Sequence, residues 1–191
     1  MKFYTKLQDW LAGPFSQKMQ KFMQNPYMHA LQVCFTIILP MIMVGSLASL
    51  VNTFRNFAPW LPDLSLINSF SFGLISIFMA FLIPYTIMES KKLQKQKMIT
   101  GFASVSALIA LANPQYVDGN LVINSGYVGT GGMTVAMVMG LVIGWLFSAY
   151  FKHGLFKKNS SLPSVVVVWF ESILIIFVLI LVCIIIGQNV D

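Results

Sequence analysis

Charge is what this sequence has least of. Only 9% of its 191 residues are Asp, Glu, Lys or Arg, against about 25% in an ordinary soluble domain. The chain has six acidic residues and two histidines. That scarcity argues against a membrane-embedded enzyme, because nucleophilic and acid–base machinery needs a titratable base beside a hydroxyl or thiol. His29 and His153 have no carboxylate near them in sequence, and each reads as a polar residue at the end of an apolar run. The two cysteines, Cys34 and Cys183, lie in separate apolar runs. They supply no metal-ligand spacing and, on the topology derived below, sit near opposite membrane faces, out of reach of a disulfide. Nothing in the sequence asks for a metal or a cofactor. Residues 1–28 are too polar to hold the apolar core of a cleavable signal. The net charge of +6 is no nucleic-acid signal, because the basic residues sit in short loops between apolar runs. Gly126–Gly132 (GYVGTGG) lacks the following Lys-Ser/Thr of a nucleotide cradle.

Long apolar runs take the place of charge; 57% of the residues are hydrophobic. Leu31–Val51 carries no charge over 21 residues, enough helix to cross a hydrocarbon core of about 30 Å. Pro40 in its middle frees a backbone carbonyl that a membrane bundle can re-satisfy. Further runs cover residues 70–88, 98–112, 132–151 and 164–187. The third has only 15 residues, about 22 Å of helix, and is the weakest of the five. Ahead of them, Phe3, Leu7, Trp10 and Leu11, then Phe15, Met19, Phe22 and Met23, repeat at helical spacing on either side of Gly13-Pro14. Lys2, Lys6, Lys18 and Lys21 supply a cationic side. Two short helices lying flat in the membrane interface have this pattern; packing on the protein's own cytoplasmic face is the other reading. The expectation is an all-α integral membrane protein with five transmembrane helices and an N-terminal amphipathic interfacial pair. Residues 1–28 form the interface segment and 29–191 the membrane domain. Residues 52–69, with Arg55, Asp63, Pro59 and Pro62, read as a loop, Trp60 as an interface aromatic, and 113–131 as a second loop with a turn signal at Asp118-Gly119-Asn120.

The lysines test this division. With five crossings, eleven of the twelve basic residues fall on one side, Arg55 being the exception. Positive-inside bias makes that side cytoplasmic. The N-terminus is then inside and the C-terminus outside, in a bacterial inner membrane. Asn159-Ser-Ser161 matches the glycosylation pattern but lies in a basic loop on the wrong face.

Few polar residues enter the spans. Glu171 lies seven residues inside the fifth, where an ionisable group usually faces a cavity or a partner. It is either a polar group on a solute path or a carboxyl near enough to the interface to be solvated or paired with a loop lysine. Gln32 and Asn52, at the two ends of the first span, are the other candidates for substrate binding. In the fourth span Gly132, Ala136, Gly140, Gly144 and Ser148 place a small residue at every fourth position. Such a stripe lets another helix backbone approach closely, either within the chain or from a second copy.

Several stretches resemble the N-terminal half of enzyme IIC, the membrane component of sugar phosphotransferase systems, in the lactose/cellobiose/diacetylchitobiose family. Ala30–Phe35 (ALQVCF), Leu39–Ser46 (LPMIMVGS) and Asn52 are similar to that family's A-I-R-D-G-F, M-P-L-I-I-V-G-S and following Asn. Tyr127–Met133 (YVGTGGM) and Leu162–Ser172 (LPSVVVVWFES) are similar to its fourth and fifth span starts. The family's Arg-Asp pair is Gln32-Val33 here, its second Pro is Ser164 and its Ser before Phe is Trp169. The resemblance implies the scaffold and dimerisation half of a disaccharide permease, without the second half that in relatives binds the sugar and permits its phosphorylation. It also implies, as partners, lipid, a second copy or a second permease half, and the soluble components IIA and IIB. A small membrane adaptor or regulatory protein without transport is the alternative. A reporter fused before Met1 is expected to read cytoplasmic and one after Asp191 to read external; the same compartment for both would remove the odd number of crossings.

Overall fold

The computed structural model describes residues 13, 15–123, 125–153 and 164–189. Lys2, Phe3, Lys6, Leu7, Trp10 and Leu11, the first helix of the expected interfacial pair, lie outside them, as do Lys157, Lys158, Asn159, Leu162, Pro163 and Asp191. The second helix is present as α1, Ser16–Met23. Its apolar residues Met19 and Phe22, and Phe15 just before it, are exposed.

Helix α2, Pro26–Arg55, begins where the sequence stops it fraying: Asn25 Oδ1 accepts from the Tyr27 amide at 3.0 Å, and Pro26 occupies the first turn. It runs for 30 residues through Pro40, about 45 Å, and so extends past both ends of the expected span. The uncharged stretch measures the hydrocarbon; the cap and the following loop set the helix ends. In that loop Arg55 Nη1 and Asp63 Oδ2 approach to 3.0 Å, both largely exposed. The amide of Ser65 hydrogen-bonds to Asp63 and, with the Arg55 charge, holds its carboxyl below the ordinary carboxylate value. The contact is therefore present at neutral pH and is lost as pH falls through that lowered value. Trp60 is 82% exposed.

The second crossing is one 26-residue helical stretch, Ser65–Ser90, built from α3 (Ser65–Ser71), a 3₁₀ turn (Phe72–Leu74) and α4 (Ile75–Ser90). Helix α5, Lys97–Leu111, is short. The expected loop at 113–131 instead holds a hairpin, β1 (Gln115–Val117) and β2 (Asn120–Val122), with Gln115 opposite Val122. Asp118 and Gly119 both have positive φ, 51° and 80°, the conformation of a tight two-residue turn that matches the strand twist. A single turn of helix, α6 (Ser125–Val128), and a 3₁₀ turn (Thr130–Gly132) lead into α7 (Met133–His153); α8 is Ser164–Asn189. Four helical stretches, Pro26–Arg55, Ser65–Ser90, Thr130–Lys152 and Val168–Asn189, are long and apolar enough to cross a membrane. The protein is thus an all-α membrane protein, with one small hairpin among the described residues.

Helix α4 is the hub. Its Ile75, Met79, Ala80, Ile83 and Ile87 are fully buried, among Ala30, Cys34 and Ile38 of α2, Leu108 of α5 and Ala136 of α7. A second cluster joins Met88 to Ala103 and Ala107 of α5, Ile143, Phe147 and Phe151 of α7, and Ile175 and Cys183 of α8. Cys34 and Cys183 are free thiols in different clusters. The outer faces of α2 and α8 stay apolar and exposed, for example Leu47, Leu50, Ile173 and Phe177, as helices solvated by lipid require.

Helices α4 and α7 meet closely because α7 has little side chain on that face. A methyl on Gly140 would lie 3.0 Å from Ile83 Cβ, and one on Gly144 3.2 Å from Ile87 Cβ and 3.3 Å from the Pro84 backbone. At Gly132 it would strike the Tyr127 carbonyl, whereas at Gly73 it would meet nothing nearer than Ser69 Cβ at 3.9 Å. In detergent melts, Gly132→Ala and Gly140→Leu are expected to lose about 1–3 kcal/mol each, and Gly73→Ala almost none. Equal melting of all three variants would contradict this packing.

Candidate functional site

The residues singled out in sequence do not converge. Gln32 is exposed on the outer side of α2, and its carbonyl accepts from Thr36 Oγ1 at 2.9 Å. Asn52 lies more than five turns further along the same helix, where its Oδ1 accepts from the Leu64 amide at 2.9 Å and ties the loop to the start of α3. Glu171 is 6% exposed. Its backbone carbonyl accepts from Tyr150 Oη at 3.2 Å, so it lies level with the last turn but one of α7. The side chain of His153 lies outside the described residues.

The stripe on α7 is covered along its whole length by the same chain. Gly132, Ala136, Gly140, Gly144 and Ser148 are all buried, and the first four face Tyr127, the α4 cluster, Ile83 and Ile87 in turn. Ser148, the fifth, accepts from Lys91 Nζ at 2.7 Å. A second copy that met this chain would therefore use another face.

Lys91 is the residue that pattern reading missed. In sequence it is one of four lysines in a loop. In the fold its ammonium also donates to Tyr27 Oη at 2.7 Å and lies 4.6 Å from the centre of that ring. It thereby joins the first turn of α2, the end of α4 and the last third of α7. Near it Ser90 Oγ and His29 Nδ1 are 3.4 Å apart, and Lys97 Nζ pairs with Glu89 Oε1 at 2.7 Å. Only the placement of Ser148 at the end of the stripe pointed towards this cluster.

Two cavities flank α4. One, about 470 Å³, lies between α2, α4 and α5 and is wholly apolar, with Ile37, Met41, Phe78, Phe81 and Phe102 among its walls. The other, also about 470 Å³, opens between the loop after α4 and the end of α7, beside Lys91. Among the described residues no group of three His, Cys, Asp or Glu side chains could hold a metal ion. The geometry offers helix packing and a basic end, with no nucleophile set beside a base.

Replacing Asn52 by Ala is expected to cost about 1 kcal/mol and to raise hydrogen exchange at the Leu64 amide while leaving the rest of the bundle protected. Unchanged exchange there would mean that the Asn52 bond does not hold the loop.

A family model described as "Phosphotransferase system, EIIC" matches residues 32–191. No curated protein and no solved structure matches the chain.

Proposed function

Because the chain belongs to the phosphotransferase system EIIC family, the membrane permease component of sugar uptake and a transporter rather than a catalytic domain, we propose that these 191 residues are its scaffold and dimerisation half. The supporting observation is the division of labour in the fold. Among the described residues the small-residue stripe serves helix packing, Asn52 and Lys91 tie helix ends, and the cavity enclosed between α2, α4 and α5 is wholly apolar. The resemblance of Leu39–Ser46 and Tyr127–Met133 to known patterns favours the lactose/cellobiose/diacetylchitobiose branch. Sugar binding and its phosphorylation then belong to a second permease half that moves against this one, served by soluble IIA and IIB.

The proposed topology has five crossings with the N-terminus cytoplasmic, in a bacterial inner membrane. Its support is geometric. The Tyr27, Lys91 and Ser148 contacts gather the ends that the lysine count assigns to one side. Helix α5 starts at that end with Lys97, and the carbonyls of Ala110 and Leu111 at its other end lie against Gly187, near the far end of α8. A 15-residue helix suits this position because α4, α7 and α8 bury one side of it, including Thr100, Gly101, Ala103, Ser104, Ala107 and Leu108. The exposed Phe15, Met19 and Phe22 suit an α1 lying in the interface, completing the amphipathic pair over residues 1–28. With the stripe consumed by α4, the proposed homodimer or the second half docks on the outer faces of α2 or α8. An adaptor without transport is the second reading, favoured by Gln32-Val33 in place of the family's Arg-Asp.

Calorimetry on the purified 191-residue chain with lactose, cellobiose and diacetylchitobiose is expected to show no binding. Saturable binding of any of them by this chain unaided would refute the scaffold reading.

A further inference from the structure

The basic cavity is lined by Lys91, Leu93, Trp145, Ser148, Ala149 and Lys152. Lys91 is half-buried and has spent two of its N–H groups on neutral oxygens, Tyr27 Oη and Ser148 Oγ; an ammonium has a third. Among the described residues the ion pairs are Arg55–Asp63 and Lys97–Glu89, and neither lysine of the cavity is paired with a described carboxylate. A partly desolvated cation with only neutral partners is a strong attractor for an anion.

The rest of the wall says what else that anion carries. Trp145, Ser148, Ala149 and Lys152 follow one another on one face of α7, with Lys152 at the helix end and Trp145 about 10 Å deeper. Trp145 is 57% exposed. The cavity is thus cationic at the membrane surface and aromatic below it, the profile of the headgroup-to-acyl boundary. A small free anion would make no use of Trp145, Leu93 or Ala149. We propose that this cavity seats the headgroup of an anionic phospholipid, its phosphodiester held by Lys91 and Lys152 and its glycerol and upper acyl carbons against Trp145. The inference depends on the chain crossing a bilayer and is independent of the sugar-permease reading.

The full chain in neutral detergent would be titrated with phosphatidylglycerol, phosphatidylcholine or sodium phosphate, with the melting temperature as readout. Phosphatidylglycerol is expected to raise it by about 3 °C or more, and the other two to leave it unchanged. Lys152→Gln, at an exposed position, should fold normally and weaken the phosphatidylglycerol effect about fivefold. Lys92→Gln, a loop lysine outside the cavity, should not. Equal stabilisation by phosphatidylcholine would overturn the proposal, and so would an equal loss in Lys92→Gln, which would mean diffuse attraction. Equal stabilisation by sodium phosphate would overturn it too, identifying a small-anion site instead of a lipid one.

Discussion

Helices in lipid gain nothing from hiding apolar surface from one another, because the solvent is as apolar as they are. What can join them is close contact, and the contact on which this bundle depends is α7 against α4. Gly140 and Gly144 remove side chain where Ile83, Pro84 and Ile87 need the space. The approach places Ala136 in the same cluster as Met79 and Ile83. Once α4 is gripped on that side, its other faces receive α2 and α5, and α5 receives α8. The two interior prolines are accommodated in this setting: Pro84 is buried against the glycine stripe, and Pro40 lies on the outer side of α2.

The polar contacts that join different helices and loops cluster towards the two ends of this packing. At one end Lys91 links α2, α4 and α7 through Tyr27 and Ser148. At the other, the Ser76 hydroxyl donates to the Gly129 carbonyl, fixing the turn that feeds α7, and Asn52 fixes the loop before α3. Between these layers the interior is mostly aliphatic and aromatic, with hydroxyls such as Thr86 and Ser172 bonded back to their own helix and Ser104 buried midway along α5. This arrangement has rigidity to offer and little chemistry, which is what the proposed scaffold role needs.

Much of this was legible in sequence because membrane crossing imposes one-dimensional rules. Uncharged length located the helices. Boundaries were less legible. The Asn25-Pro26 start of α2 is a local capping signal lying outside the uncharged run, so a reading by apolarity began at Leu31. The hairpin at Gln115–Val122 rests on strands of three residues, too short for an alternating pattern to stand out, although Asp118-Gly119 marked its turn. Spacing showed that Gly132 to Ser148 form a stripe but not what lies on it, because a stripe carries no label for its partner. Lys91 and Glu171 were visible only as charges. The bonds from Lys91 to Tyr27 and Ser148 cross 64 and 57 residues of sequence, and no local rule reaches that far.

The pairing of the stripe with α4 of its own chain admits a direct test. In a chain with Cys34 and Cys183 replaced by Ala, Gly144→Cys and Ile87→Cys would be introduced together and oxidised in native membranes. A β-carbon added at position 144 would lie 3.2 Å from that of residue 87, a little inside the separation of about 3.8 Å in a disulfide. Efficient formation of a disulfide within single chains, running as monomer on non-reducing gels, is the expected result. Cross-linking mainly between chains, or none at all, would contradict it.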